Sequence, residues 1–538
     1  MKLSRTLSSC GVLLMCLAQP AGVQAQVHSP SGALDAEITR LAQAETAAVL
    51  DTLKRLTAVD TGTTQAPGLL AVADMIEAFV KPLGGAVRRV TPAANVPGQN
   101  VVVTFRGTGN RKIMLMAHMD TVYPAGAAAA RPFRVDGNRA IAPGIADAKG
   151  GVANILHAVR VLHTRGIKNY ERITLVFNVD EERGSVGSRD LIRATAAEHD
   201  VIFSAEPTSN NPEVIVLGTS GAGRFAVKVR TGGPFASSDE KPVEELADAI
   251  LRSKDVQSKV PFTRMNWTIA RAEDPNSLKR LDAEAFKSAT LTFRITGKAS
   301  HAGVAPELGV NAVVEMANLV ARVSAAAAQV PGAQLQWRAA SGGLISNVIP
   351  DRAQAIAELA VPKAADLEAT AQALLASGGR VALANARVVA EHKPGLATDL
   401  TGAGETYATA DMRLPDIPSY GLLEAAAREL VLQKKFSNSG VTAEGSGMPF
   451  PPFNASEDGK KLADIARNLY AQLGGQITLL PRTFGGTDAV WAAQSGKPVI
   501  ETMGLPGGNY HSSDEEFVLI DRIGMRVNLL AELIRSQL

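Results

Sequence analysis

Hydrophobic positions are distributed along the chain in two patterns. Continuous apolar runs, which are typical of strands buried on both faces, lie at 113–117, 173–179 and 200–204. Apolar residues spaced three and four positions apart follow the first of these runs and predict a helix at 152–165. Strands that alternate with helices predict an α/β fold, with a mixed, mostly parallel sheet and flanking helices.

The N-terminal part of the chain adds two predicted helices and a predicted hairpin. Amphipathic spacing indicates helices at 41–56 and 68–83, the second of which ends at a glycine pair. An apolar strand at 100–106 is followed, after the glycine-rich segment 107–110, by the strand 113–117. Short glycine-containing connections join antiparallel neighbours, so this pattern predicts a hairpin.

The first 25 residues have the pattern of a cleavable signal peptide: two basic residues, an apolar region and a small-residue cleavage site at 23–25. The apolar region is too short to span a membrane. We therefore expect a signal peptide at 1–25 and a periplasmic or secreted protein. Removal of the signal peptide would also remove both cysteines, Cys10 and Cys16, and would lower the formal net charge from +2 to about zero. The remaining chain has no thiol and no basic surplus, so nucleic acid and membrane partners are not expected.

Histidine and acidic residues follow the predicted strands. The strand 113–117 runs into His118 and Asp120, which a strand would place side by side on one face. Open α/β sheets bind ligands beyond the carboxyl ends of their strands. Any one acidic strand end is usually a solvated turn, but that interpretation is hard to sustain for the whole set: His118, Asp147, Glu182, Glu206 and His511.

Two histidines and three carboxylates, without cysteine, form the ligand set of a two-zinc hydrolytic site. Two cations about 3.5–4 Å apart need one shared carboxylate and activate a water. A carboxylate that is not a ligand can take the proton of that water, and Glu181 stands directly beside Glu182. The alternative for Glu181 is a solvated turn residue.

Eight segments carry a resemblance to a known family: HMDTV, GIADAKGG, NVDEERGS, AEPT, SHAGVAPELGVNA, SNVIP, FGGTDA and LPGGNYHS. In this order they resemble the M20 metallopeptidases, and most closely the bacterial glutamate carboxypeptidases of the carboxypeptidase G type. The resemblance implies two zinc ions per chain. By that likeness Asp147 bridges the metals, His118 and Glu206 complete one site, and Glu182 and His511 complete the other. Asp120 would orient His118, and Glu181 would be the general base.

The middle of the chain departs from the simple family pattern, in which one βαββαβ domain interrupts the catalytic domain. Here the interruption, 222–451, is about twice as long, and we interpret it as a lid made of two nested units. The outer unit covers 222–288 and 404–451, and the inner unit covers 289–403. The catalytic domain then comprises 26–221 and 452–538.

Three lid residues match functional positions of the family. His301 (SHAG) would donate a hydrogen bond to the oxyanion, and Asn347 (SNVIP) would contact substrate. Arg413 would grip the substrate carboxylate. The alternatives are a helix-capping surface histidine and an exposed arginine at a strand end. In dimeric relatives the first two residues come from the partner subunit. We expect the inner unit to supply them in cis, which predicts a monomer with a pseudo-dimeric lid, although a homodimer is possible.

Two features bear on the substrate. Gly486 precedes a predicted helix, where backbone N–H groups could hold a carboxylate, although a tight turn explains the glycine equally well. The segment 445–450 lacks the arginine that glutamate carboxypeptidases carry there, which weakens the expectation of strict glutamate specificity.

The sequence thus predicts a zinc hydrolase that cleaves an amide next to a free carboxylate and releases a C-terminal amino acid from a small peptide or N-acyl amino acid. Alternatives are a dipeptidase or N-acyl amino acid amidohydrolase with apolar preference, and a non-catalytic binding protein on the same fold. A nucleotide-binding oxidoreductase would need a strand–GxGxxG–helix unit, which the chain lacks.

Overall fold

A computed structural model describes most of the chain. The described residues are 33–230, 241–260, 263–273, 278, 282–343, 345–397, 405–433, 440–445, 447, 450–512 and 515–538. The predicted signal peptide at 1–25 lies outside them, as do the predicted boundary at 403–404 and part of the 445–450 segment.

Helices of the described residues agree with the apolar spacing, except that the first predicted helix is divided at Glu45. They are α1 (Ala36–Ala44), α2 (Thr46–Thr57), α3 (Ala66–Val80), α4 (Ala127–Ala130), α5 (Lys149–Arg165), α6 (Arg189–Ala197), α7 (Pro242–Lys259), α8 (Ala312–Ala327), α9 (Leu367–Gly378), α10 (Ile417–Leu432), α11 (Glu457–Gln472), α12 (Ala489–Ala493) and α13 (Ile523–Ser536). Within the described residues, no helix combines the length and the apolar character needed to cross a bilayer.

The strands fall into two large sheets and three small ones. They are β1 (Ala86–Val90), β2 (Asn100–Arg106), β3 (Lys112–His118), β4 (Arg134–Asp136), β5 (Arg139–Ile141), β6 (Arg172–Asn178), β7 (Val201–Ser204), β8 (Thr208–Ser209), β9 (Glu213–Val216), β10 (Gly218–Thr219), β11 (Gly221–Arg230), β12 (Arg264–Glu273), β13 (Phe286–Thr296), β14 (Gln334–Gly342), β15 (Arg352–Pro362), β16 (Arg387–Pro394), β17 (Glu405–Leu414), β18 (Gly440–Gly445), β19 (Phe453–Asn454), β20 (Ile477–Leu480), β21 (Val499–Ile500), β22 (Pro506–Gly508) and β23 (Phe517–Leu519).

The first large sheet has the order β1-β2-β6-β3-β7-β21. β6, β3, β7 and β21 run parallel, and β1 and β2 add an antiparallel edge, which confirms the predicted mixed, mostly parallel sheet. One face of β3 packs on a core that includes α5 and α13, and the other face packs on α6 and α12. The sheet is therefore covered on both sides, as its continuous apolar strands require.

The predicted hairpin between β2 and β3 is wrong, because β6 lies between these two strands. The glycine-rich connection bonds to the chain before β6 instead: Thr108 N–H donates to the Lys168 carbonyl at 2.7 Å, and Gly109 N–H donates to that of Tyr170 at 2.8 Å. Both apolar strands need a neighbour on each side, and β6 supplies one to each of them. A short glycine-rich connection therefore did not indicate adjacency here.

The second large sheet is antiparallel, with the order β16-β13-β15-β14-β12-β17-β11-β18. The strands from 286–394 form one half, and the strands before and after that segment form the other. Pairing of β12 with β14 joins the halves into one sheet. Helices α7 to α10 contribute to a single core on this sheet.

Two contacts fix the second sheet relative to the first. β10 and β19, which lie before and after the inserted strands, pair with each other, so the chain leaves and returns at one place. In addition, Ile345 and Val348 pack against Val122 and Tyr123, which follow β3. The loop that carries Asn347 is thereby held beside the carboxyl edge of the first sheet.

Candidate metal centre and active site

The five residues proposed as metal ligands converge in the structure. His118 ends β3, Glu182 follows β6 and Glu206 follows β7, so three of them stand at the carboxyl edge of the parallel strands. Asp147 precedes α5, and His511 follows β22. The His118 and His511 side chains are 1% and 2% exposed, and the Glu206 side chain is the most exposed of the five at 17%.

Asp147 lies between the two histidines. Its Oδ1 is 3.1 Å from His118 Nε2, and its Oδ2 is 3.2 Å from His511 Nε2. Glu206 Oε2 is 3.7 Å from His118 Nε2, and Glu182 Oε1 is 3.0 Å from His511 Nε2. The aspartate thus offers one oxygen to each of two groups, each group made of one histidine and one glutamate.

Asp120 lies behind this cluster. Its backbone carbonyl is 3.0 Å and its Oδ1 is 3.3 Å from His118 Nδ1, the ring nitrogen that faces away from Asp147. The carboxylate also accepts the Glu181 N–H at 3.1 Å, the Glu182 N–H at 3.3 Å and the Thr63 hydroxyl at 2.7 Å. Asp120 thereby fixes the histidine ring, chiefly through its backbone carbonyl, and its carboxylate fixes the backbone that carries the two glutamates.

The charges of the site are unbalanced in the protein alone. Burial and the Glu206 charge raise the pKa of Glu181 well above its usual range, and burial raises the pKa of Glu206 to about 8. The facing carboxylates outweigh burial at His511 and raise its pKa to about 10. In the protein without metal, bound protons therefore supply the positive charge between these carboxylates. Oxygen and imidazole donors of this number fit two divalent cations, which would relieve the repulsion.

His301 is brought to the same place by the second sheet. Its ring stacks on that of His511, with 4.3 Å between centroids. Its Nδ1 accepts the backbone N–H groups of Gly303 and Val304, both at 3.0 Å. Although its position beside Asp147 and His511 would also suit a metal ligand, two donors at Nδ1 place the ring proton on Nε2 and make that atom a donor. Burial and the neighbouring His511 lower the pKa of His301 well below its usual range.

Asn347 and Arg413 also reach the site. Asn347 Nδ2 donates to Glu182 Oε2 at 3.2 Å, and its buried Oδ1 has no partner among the described residues. Arg413 is 4% exposed and lies within β17, so it is not an exposed strand-end arginine. Asp411 accepts from its Nε at 2.6 Å and from its Nη2 at 3.2 Å, and the Phe484 carbonyl accepts from its Nη1 at 3.3 Å. One N–H group remains on each terminal nitrogen.

A cavity of about 290 Å³ lies at this site, and Gly486 lines it. Its lining also includes His301, Asn347, Arg413 and four of the five proposed metal ligands: Asp147, Glu182, Glu206 and His511. A Cβ atom at Gly486 would lie 3.2 Å from the Phe450 ring, which is a tight contact. The close approach of Phe450 explains the glycine by packing, and α12, which begins at Ala489, has only five residues.

Sequence reasoning missed two buried glutamates that hold the ligand loops. Glu516 accepts three N–H groups of the loop that carries Asp147: Gly144 at 3.0 Å, Ala146 at 2.9 Å and Asp147 itself at 3.0 Å. Glu501 accepts the Glu206 N–H at 3.2 Å. Each is one of several acidic residues near the C-terminus, and no local pattern relates it to partners about 300 or more positions away.

An α/β sheet that presents two imidazoles and three carboxylates, one of which is an aspartate between the two histidines, with another carboxylate beside them, has the ligand set of a metal-dependent hydrolase. Residues 114–536 match the model of peptidase family M20/M25/M40. The chain belongs to this family and is a metal-dependent hydrolase of the peptidase class.

Comparisons with individual proteins agree with this assignment. The chain is 35% identical to carboxypeptidase G2 of Pseudomonas sp. (strain RS-16) over 490 residues, which cover 91% of this chain and 89% of that protein. Among solved structures, human carnosine dipeptidase 1 has a TM-score of 0.52 at 14% identity, covering 93% of this chain and 99% of that one. An M20 metallo-carboxypeptidase from Sulfolobus solfataricus also has a TM-score of 0.52 at 14% identity, covering 94% and 99%. At these identities the two structures show a shared fold.

Proposed function

We propose that this protein is a zinc-dependent carboxypeptidase that hydrolyses the amide bond next to a free carboxylate and releases a C-terminal amino acid. Small peptides and N-acyl amino acids are the proposed substrates. The observation that carries the proposal is Asp147, whose two oxygens face two separate histidine–glutamate groups at 3.1 and 3.2 Å. The likeness to carboxypeptidase G2 supports the position of the cleaved bond.

His118, Glu206, Asp147, Glu182 and His511 would hold two zinc ions. Bound there, the ions would polarise the scissile carbonyl and lower the pKa of the attacking water. Glu181 lies in the same cavity, and no hydrogen bond of its side chain is found among the described residues. In this proposal Glu181 takes a proton from the water and passes it to the leaving amine.

The remaining polar groups act on the substrate. His301 Nε2–H donates to the oxyanion of the tetrahedral intermediate, because its other nitrogen is already occupied by two backbone donors. The free Asn347 oxygen accepts a substrate N–H, and the outward N–H groups of Arg413 bind the free carboxylate. Asp411 keeps the Arg413 guanidinium in one orientation.

We further propose that one chain is sufficient for activity. His301 and Asn347 contact His511 and Glu182 of the same chain, so no partner subunit is needed to complete the site. The lid would act as a built-in partner, and a monomer is the expected state. The signal-peptide pattern at 1–25 supports export to the periplasm or beyond.

A hydrolysis screen tests the function. The zinc-loaded mature chain should hydrolyse N-acyl amino acids, and removal of the metal by a chelator should abolish turnover until zinc is restored. N-acyl amino acid amides, which lack the free carboxylate, should be poor substrates. Equal rates on acids and amides would exclude a carboxypeptidase, and tight substrate binding without turnover would favour the binding-protein alternative.

A further inference from the structure

The cavity lined by four of the proposed metal ligands has a second, apolar part. Four apolar side chains line it, and they come from two paired strands and from the segment that returns from the second large sheet. They are Val214, Val216, Leu480 and Phe450. We call these four residues the apolar wall.

Strand geometry explains why the wall faces the cavity. Side chains alternate along β9, and Ile215 is fully buried in the core on the opposite face. Glu213 points the same way as Ile215 and accepts the Tyr470 hydroxyl at 2.8 Å. Val214 and Val216 must therefore face the cavity, and Leu480 of β20 is the register partner of Val216.

The wall stands beside a buried carboxylate. Val216 N–H donates to the Thr502 hydroxyl at 3.1 Å, and Thr502 N–H donates to Glu501 Oε1 at 2.6 Å. Glu501 also lines the cavity. A carboxylate on a substrate side chain would lose hydration against the valines, and Glu501 offers it no cationic partner there. An apolar side chain has no charge to desolvate, and its binding would remove apolar surface from water.

Building on the proposed function, we propose that the apolar wall binds the side chain of the released amino acid and selects large apolar residues, such as leucine and phenylalanine, over glutamate and aspartate. Two arginines line the cavity, Arg413 and Arg224. Asp411 compensates the charge of Arg413. Both arginines then serve the single α-carboxylate that every such substrate carries.

The test compares kcat/KM for N-acetyl-leucine, N-acetyl-phenylalanine, N-acetyl-glutamate and N-acetyl-lysine with the zinc-loaded chain. We expect the two apolar substrates to exceed the glutamate substrate by at least about tenfold, since a single methylene group in an apolar pocket already discriminates by about 10–200-fold. Glutamate equal to or better than leucine would overturn this inference and leave the proposed function intact. No hydrolysis of any acyl amino acid would overturn both.

Variants locate the selectivity. Val214→Lys places an ammonium group at the wall and should shift the leucine-to-glutamate ratio toward glutamate by at least tenfold. Val135→Lys is the matched control, because Val135 is an exposed valine on β4 that does not line the cavity, and it should leave the ratio unchanged. Val216→Thr keeps the shape of the side chain and should lower kcat/KM for leucine without raising that for glutamate. Equal ratios in all three variants would overturn the assignment of the wall.

Arg224→Gln separates the two carboxylates of a glutamate substrate. If Arg224 serves the α-carboxylate, kcat/KM should fall by the same factor for leucine and glutamate substrates. A fall confined to the glutamate substrate would contradict the inference.

Calorimetric titration of free leucine and free glutamate into the Glu181→Gln chain gives a readout that does not depend on turnover, and leucine should bind more tightly.

Discussion

Glu181 and Glu182 are neighbours in the chain and take different places in the site. The backbone N–H groups of both donate to Asp120, so one anchor fixes the turn that carries them. The Glu182 carboxylate contacts His511 and Asn347. The Glu181 carboxylate is left facing the cavity, where burial and the Glu206 charge raise its pKa well above the usual range. In the proposed mechanism, adjacent positions would therefore separate metal binding by Glu182 from proton transfer by Glu181.

The expected result of Glu181→Gln is a loss of turnover with retention of metal. An amide cannot take a proton from water, so kcat should fall by about 10²–10⁴, the usual contribution of general acid–base catalysis. Elemental analysis of the purified variant should still give two metal ions per chain. Glu182→Gln is the matched control and should lower the metal content instead. A Glu181→Gln chain with near-normal kcat would exclude Glu181 as the base.

At the residue scale, the sequence pointed to side chains that end strands. His118, Glu182 and Glu206 each follow an apolar run, and the edge of a parallel sheet brings such residues together. Glu516 follows no such rule. Its nearest bonded partners in the Asp147 loop are 369 to 372 residues away, and only the folded chain relates them.

At the scale of elements, the ligands depend on loops that buried groups hold in place. The loop before α5 has no regular structure, and its N–H groups at Gly144, Ala146 and Asp147 point at one carboxylate, that of Glu516. The Tyr123 hydroxyl donates to the same carboxylate at 2.7 Å. Four donors on one side chain set the position of Asp147 between the histidines.

Replacement of Glu516 by Gln should therefore weaken metal binding. The amide keeps one acceptor oxygen but turns two N–H groups toward backbone donors. Loss of such an outer partner typically lowers metal affinity by about 10–100-fold. Competition with a chelator of known affinity measures the change. Glu515→Gln is the control, because Glu515 is exposed and pairs with Arg134 at the surface. Unchanged metal affinity in the Glu516→Gln variant would show that the loop keeps its conformation without the Glu516 carboxylate.

The contact between α2 and α5 contains a buried histidine that predicts a pH dependence of stability. His157 bonds to Thr52 at 2.8 Å and to Glu45, with Arg160 also adjacent. Burial lowers the pKa of His157 below its usual 6.5, and the Glu45 charge only partly opposes this. Below pH 6.5 the unfolded chain therefore binds a proton that the folded chain resists. The contribution of neutral His157 to the free energy of unfolding is fully present above that pH and decreases as the pH falls toward the pKa of the folded chain.

Denaturant unfolding of the wild type between pH 7.5 and 5 should show this loss, with a contribution from His157 of at most about 1.4 kcal/mol per pH unit. His157→Gln should reduce the slope of stability against pH. His163→Gln is the control, since His163 is exposed on the same helix. Identical slopes in the two variants would contradict the assignment.

Element prediction succeeded where the pattern was local and failed where it was not. The strand Asn100–Arg106 has the predicted bounds, because its apolar residues end at the glycine-rich segment 107–110. The prediction of a hairpin was wrong because strand order depends on which strand pairs with each edge of β2 and β3. β6, which lies about 70 residues after β2 in the chain, pairs with both.

At the scale of the whole molecule, the second large sheet unites two sets of strands. Its order places 286–394 in one half, with the strands that flank this segment in the other. His301 and Asn347 belong to the first half and Arg413 to the second, and all three line one cavity with four of the five proposed metal ligands. The division of the chain at 222, 289, 404 and 452 stays a prediction. Two nested units would account for both the strand order and the distribution of functional residues.

Mixing of two inactive variants tests whether each chain builds its own site. Glu181→Gln lacks the base, and His301→Ala lacks the oxyanion donor, for which we expect kcat to fall by about 10²–10³. If His301 came from a partner subunit, a mixed dimer would contain one site with both residues intact, and co-refolded variants would regain up to about a quarter of the wild-type activity. Because His301 stacks on His511 of its own chain, we expect no recovery at any mixing ratio. Sedimentation at the assay concentration, with constant kcat upon dilution, would then identify the monomer as the active form, whereas recovery of activity would show that the lid exchanges between chains.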